Sequence, residues 1–231
     1  IRGEHQAKGG SAPMTRFILG FFVMIGCLMF LGCPFRLILR LAGGDWNAIL
    51  GFVGFAVGIG AGTFFLKRGY SLKRTYSLPK FDTAVMPVLM VGLLILVVMA
   101  PAFIFFSEKG PGAVHAFWAV SLIAGIVVGG LAQYTRLCMV GGIRDIILFH
   151  ETKLLMGFVA VFVAAFLVNL AFGNFHPGFA NQPIAHTDGL WNFLGMALAG
   201  FCSILLGGCP MRQLIMTGEG NTDSAITVLG L

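Results

Sequence analysis

Charge is scarce in this chain. Only 10% of the 231 residues are Asp, Glu, Lys or Arg, where ordinary globular chains carry roughly 25%, so a surface facing water cannot be covered. Nucleic-acid recognition is excluded next: the net charge is +6, but no long basic tract and no interleaved aromatic array accompanies it. Cys-x-x-Cys, Cys-x-x-His and carboxylate clusters are missing, so no metal site is expected. Gly218-Glu219-Gly220-Asn221 lacks a following Gly-Lys-Ser/Thr and is no phosphate loop, and without an ATP motif the chain cannot drive itself by hydrolysis. Disorder fails on the 23 Phe and the 13% aromatic content. The opening residues have no signal-peptide layout.

What is present is grease and glycine. Apolar residues make up 58% and mean hydropathy is +0.92, the composition of a polytopic membrane protein. The 33 glycines are about twice the usual share of roughly 7%. In lipid they let helices approach closely and let a helix break where it lines a cavity. The five cysteines, Cys27, Cys33, Cys138, Cys202 and Cys209, sit in or beside apolar stretches, unlike the polar loops of a disulfide framework.

Six apolar segments are read as spans: 17–31, 48–66, 84–106 (bent at Pro87 and Pro101), 114–132, 154–173 and 190–206. The first and last are stopped by Gly-Cys-Pro. Lys67, Arg68, Lys73, Arg74 and Lys80 gather between the second and third spans, which makes that loop cytoplasmic. Alternation then places 107–113 and 174–189 outside and 133–153 inside. Residues 1–16 are expected to be an N-terminal cytoplasmic segment and 17–231 a single transmembrane domain. That domain is expected to be incomplete at its C-terminus, because the chain begins at Ile1 and ends within an apolar run.

Laying Cys33 on Cys209 exposes a repeat. Gly32-Cys33-Pro34-Phe35-Arg36 falls on Gly208-Cys209-Pro210-Met211-Arg212, and Gly44-Asp45-Trp46-Asn47 on Gly220-Asn221-Thr222-Asp223. With the assigned orientations the two copies are inverted across the membrane. Inverted repeats with Gly/Pro-broken spans are the sequence pointer to a transport pathway at the repeat interface. Gly and Pro alone explain a helix stop, but not the shared Cys and Arg at equal spacing. The fold expected is all-α: polytopic, with inverted repeats and broken or re-entrant helices.

A third constellation is Arg136-Leu137-Cys138-Met139-Val140-Gly141-Gly142-Ile143-Arg144-Asp145. A re-entrant helix starting near Gly142 would aim free N–H groups at an anion, with Arg144 and Asp145 paired to fix the loop. A plain cytoplasmic connector is the bland reading of the same residues. Three buried-looking thiols, Cys33, Cys138 and Cys209, beside Arg36, Arg144 and Arg212 point to a soft anion. A thiol is a weak donor with a polarizable surface and suits sulfur or selenium anions better than chloride or phosphate. Cys27 and Cys202 lie mid-helix and read as packing residues. His115 reads as interfacial, and His176, His186 and Asp188 as solvated loop residues.

These motifs, together with residues 185–196 (AHTDGLWNFLGM) and 218–230 (GEGNTDSAITVLG), resemble the YeeE/YedE family of membrane proteins. The resemblance is closest to the branch described as selenium transporters. It implies an inner-membrane permease, not an enzyme and without a cofactor, that passes a selenium- or sulfur-containing small anion into the cytoplasm, with thiosulfate-like anions next to selenium compounds as candidates. By resemblance the substrate pathway comprises Cys33, Arg36, Cys138, Arg144, Cys209 and Arg212. Support comes from Gly32, Pro34, Gly141, Gly142, Asp145, Gly208, Pro210, Asn221 and Asp223. The resemblance also implies a small cytoplasmic sulfurtransferase-like carrier as partner and, beyond Leu231, a second R-x-C segment. Two rivals remain: a membrane thiol oxidoreductase, which needs paired cysteines with Cα atoms within about 7 Å, and a membrane subunit that only docks the carrier.

Overall fold

The computed structural model describes residues 8–72, 74–77, 80–99, 105 and 116–231. The loop 107–113, Pro101, His115 and Lys73 lie outside them. Ten helices are described: α1 (Pro13–Phe30), α2 (Pro34–Ala42), α3 (Asn47–Lys67), α4 (Lys80–Met99), α5 (Trp118–Thr135), α6 (Met139–Phe149), α7 (Lys153–Ala171), α8 (Gly189–Leu205), α9 (Pro210–Gly218) and α10 (Thr222–Gly230). One short antiparallel pair, β1 (Lys8–Gly9) with β2 (Tyr76–Ser77), ties the N-terminal segment to the basic loop. The class is all-helical.

Among the described residues five helical stretches are long and apolar enough to cross a membrane: Pro13–Ala42, Asn47–Lys67, Trp118–Phe149, Lys153–Ala171 and Gly189–Gly218. They correspond to five of the six spans expected. The third expected span, 84–106, lies partly outside the described residues; α4 covers its first part, and the stretch Ala84–Met99 is apolar and helical. The first helix begins ahead of residue 17, because Pro13 supplies the fixed φ that opens a helix.

The centre of the fold is the contact between α3 and α8. Gly54, Gly58 and Gly62 form a glycine ridge, and a Cβ on them would run into the Phe193 carbonyl, the Ala197 carbonyl and the Ile204 side chain in turn. The partners advance in the same order, so α3 and α8 are parallel. Glycine lets two helices touch backbone to backbone in lipid, where hydrophobicity alone does not drive helices together. Contacts between α1 and α8 run in the opposite order: Gly26 meets Ala199, while the Met29 carbonyl lies 2.6 Å from His186 Nε2, ahead of α8. These two helices are antiparallel. The break after α8 therefore lies toward the start of α1, and the break after α1 toward the start of α8.

Phe30, fully buried, closes the last turn of α1 against Gly51 of α3. Arg40 locks the same corner. Its Nε donates to Asp45 Oδ2 at 2.7 Å, its Nη1 to the Phe30 carbonyl at 2.6 Å, and its guanidinium lies 4.1 Å from the Phe30 ring centre. A buried cation without such partners would be untenable in this setting. By contrast α5 and α7 are barely covered: 6% of each span is buried. Ile123, Ile126 and Leu131 on α5, and Leu167 on α7, are exposed, as lipid-facing side chains are.

Candidate functional site

All three helix breaks are built alike. Leu31 (φ 59°), Arg136 (φ 53°) and Gly207 (φ 84°) each turn into the left-handed region two residues before a cysteine. The N–H that follows reaches back in a Schellman cap: Gly32 to the Cys27 carbonyl at 2.9 Å, Leu137 to Ala132 at 3.0 Å, Gly208 to Ser203 at 3.0 Å. The backbone then becomes extended, and Cys33, Cys138 and Cys209 stand as the N-cap residues of α2, α6 and α9. Pro34 and Pro210 open their helices at a position whose N–H needs no helical partner. The third helix opens with Met139, which keeps its amide.

That difference matters because two of the breaks meet. The thiols of Cys138 and Cys209 face each other at close range. The Cys209 amide also faces the Cys138 sulfur, and the Met139 amide faces the Cys209 sulfur. Cys138 Sγ in addition accepts from the Gly141 amide at 3.4 Å. Both thiols are buried, at 7% and 3% exposure, inside an apolar core that includes Leu137, Val140 and Phe158. The helix starts in sequence nearer than expected, at Met139 and not near Gly142. Gly142 packs directly on the backbone of Leu155, with a Cβ position only 3.2 Å from the Leu155 nitrogen, which seats α6 on α7.

Cys33 stands apart from this pair. It borders the same apolar core, but among the described residues no hydrogen bond links it to Cys138 or Cys209. Of the three thiols expected together, the structure joins two.

The arginines follow the repeat. Arg36 lays its stem over Gly32, where a Cβ would lie 2.8 Å from Arg36 Cδ, and Arg212 does the same over Gly208 at 3.3 Å from its Cγ. Arg212 Nη1 is 3.7 Å from Glu219 Oε1. Arg144 pairs with Asp145 at 2.7 and 2.9 Å. Arg36 has a buried Nε with no hydrogen-bond partner among the described residues. It lines a cavity of about 370 Å³ with Arg40, Gly43, Asn169, His176 and Gln182.

The polar residues after the short helices are structural anchors. Asn221 Oδ1 caps α10 by accepting from the Ser224 amide at 3.0 Å. Asp223, buried, accepts from Ser11 N–H at 3.1 Å and Ser11 Oγ at 2.6 Å, with Arg16 at 3.6 Å. In the first copy the acid is Asp45, bound by Arg40, and it accepts from the Asn47 backbone and side chain at 2.9 and 3.0 Å. The acid and the amide have exchanged places, and each acid has found its own arginine.

His176 and Asp188 are exposed loop residues, as expected, whereas His186 is half-buried. The His176 amide donates to the Gly43 carbonyl at 3.0 Å, the Gly178 amide to Gly44 at 3.1 Å, and His186 is held at the Met29 carbonyl. The loop is docked because the exposed backbone of the Gly43–Gly44 turn needs partners. Sequence reasoning also passed over Arg40, Glu219 and Ser11. The spacing of Arg40 and Asp45 was readable, but not their burial.

Residues 134–231 match the family model described as sulphur transport. Over that segment the chain is similar to sulphur transport proteins. The matched stretch contains Cys138 and Cys209, together with α6 to α10, while Cys33 and the first break precede it. No curated protein matches the chain. The apolar helices are those of a multi-pass membrane protein, and the segment 134–231 resembles sulphur transport proteins.

Proposed function

We propose that the protein carries a sulfur- or selenium-containing small anion across the plasma membrane into the cytoplasm, handing it through the Cys138–Cys209 thiol pair. The observation that carries this reading is that pair: two buried thiols at the N-termini of two short helices, within the segment that matches the sulphur transport model. Each thiol offers a weak S–H donor, and the amides around it offer the positive end of a helix. Weak and multiple contacts are what conduction requires, since a site that grips an anion cannot release it.

Geometry supports a direction. Because α3 and α8 are parallel, Cys209 lies at the Lys67 end of α3, beside the basic loop that the positive-inside rule assigns to the cytoplasm. The Arg36 cavity lies at the opposite, Asn47 end and would receive the anion, with Cys33 at its edge of the core. Antiparallel packing of α1 on α8 supports inversion of the two broken units. In this reading residues 1–16 are cytoplasmic, 17–231 form one transmembrane domain, and a small sulfurtransferase-like carrier takes up the delivered cargo.

The thiol pair also favours a second reading, a membrane thiol oxidoreductase cycling those cysteines to a disulfide. Uptake of labelled thiosulfate and selenite by cells lacking their own sulfur- and selenium-anion importers separates the two. Accumulation of either anion, suppressed by excess of the other, supports transport; no accumulation with the full-length protein refutes it.

A further inference from the structure

The two broken units differ at one place that bears on their arginines. Gly43 and Glu219 are the C-cap residues of α2 and α9, with nearly the same backbone conformation, φ −82° and ψ −8° against φ −74° and ψ −4°. Laying Cys33 on Cys209 puts them in register as well. In the second unit the Glu219 carboxylate reaches back to Arg212 at 3.7 Å, and the pair is largely buried, with side-chain exposures of 8% and 17%. The contact is loose: Arg212 Nη1 and Glu219 Oε1 are both buried and neither closes a hydrogen bond among the described residues. In the first unit Gly43 has no side chain. Space opens there instead, and both Gly43 and Arg36 line the cavity, with Arg36 Nε unpartnered.

We infer that Glu219 is an anion built into the chain, which competes with the transported anion for Arg212, while Gly43 leaves Arg36 open to it. This rests on the transport reading above. A tight, close ion pair would be a strut. A buried pair held at 3.7 Å with unspent hydrogen-bonding groups is instead one that a better-placed oxyanion can enter, because a guanidinium prefers a bidentate acceptor. The carboxylate cannot leave, so an anion arriving at Arg212 is repelled by a like charge and passed on. Arg36 captures and Arg212 releases; the same motif serves opposite ends because one residue differs.

The test exchanges the two cap residues in the full-length protein. Thiosulfate binding to detergent-solubilised protein is measured by calorimetry, with counterflow in proteoliposomes alongside. Glu219→Gln, close in shape, should create a second thiosulfate site of affinity comparable to the first, roughly tenfold or more above what the wild type shows there, and should slow counterflow. Gly43→Glu should weaken the wild-type site by at least about tenfold. The backbone allows this change, as φ at Gly43 is negative and a Cβ there meets only ordinary contacts, the nearest at 3.4 Å. Should Glu219→Gln not fold, Gly43→Glu carries the test alone. Unchanged thiosulfate binding in either folded variant, with wild-type counterflow intact, overturns the competitor role and leaves the transport reading standing. Wild-type protein that neither binds nor exchanges thiosulfate or selenite overturns both.

Discussion

Cys138 and Cys209 are the N-cap residues of two different short helices, and their thiols face each other. Each therefore stands where a broken helix exposes its amide end, and each faces the backbone of the other's helix. Each thiol is buried in the apolar core. It is a soft donor placed at a positive helix end, the environment in which a polarizable anion can be met and left again.

The glycine ridge should be intolerant where it touches backbone and tolerant where it does not. Gly58→Leu forces a side chain into the Ala197 carbonyl, whereas Gly60→Ala enters open space. The first should cost more than about 3 kcal/mol or prevent folding, and the second should be near neutral. Thermal stability by size-exclusion of the solubilised protein reads the contrast.

Arg40 should be irreplaceable by lysine. Its fork holds Asp45 and the Phe30 carbonyl at once, which a single ammonium cannot do in that geometry. Arg40→Leu leaves Asp45 buried and unpaired and should cost on the order of 3–5 kcal/mol; Arg40→Lys should recover only part of this. Asp45→Asn should be milder, because the amide retains an acceptor for the Asn47 amide. Denaturation midpoints of the three variants give the ranking.

Two adjacent glycines at the second break should fail for different reasons. Gly207 holds φ at 84° in open space, while Gly208 lies under the Arg212 stem. Gly207→Ala should lose about 1 kcal/mol of stability with uptake retained in the folded fraction. Gly208→Leu should displace Arg212 and abolish folding or uptake. Expression level and uptake, measured together, separate strain from displacement.

Much of this was legible because glycine and proline punctuate so strongly. The breaks at Gly32-Cys33-Pro34 and Gly208-Cys209-Pro210 and the short helices after them followed from local chemistry, as did the Arg144–Asp145 pair. The apolar run of the third span was legible as well, and α4 follows it as far as Met99. The Cys138–Cys209 contact was invisible. It joins residues far apart in the chain through the docking of α6 near α8, which no periodicity encodes. Glu219 was weighed only as part of a glycine-rich loop, since its meaning depends on Arg212 folding back over Gly208. The ridge Gly54, Gly58 and Gly62 was not singled out in the sequence, because which helix it meets is set by the docking of α3 on α8.

Topology labelling should agree with the helix directions. A membrane-impermeant thiol reagent, applied to single cysteines introduced at Ser71 and at Gln182, should reach the first only from the cytoplasmic side and the second only from outside. Reaction of both from one side would contradict the antiparallel reading of the two broken units.

The most direct measurement is counterflow of radiolabelled thiosulfate and selenite in proteoliposomes containing the full-length protein, its Cys138→Ser and Cys209→Ser variants, and Cys27→Ser and Cys202→Ser as comparisons. Serine keeps a donor but loses the soft, polarizable sulfur. The account predicts at least about a tenfold loss of exchange in the first two, with folding intact, and little change in the other two, whose thiols only pack in the core. Equal exchange by all four variants would contradict it, and the paired thiols would then be core residues.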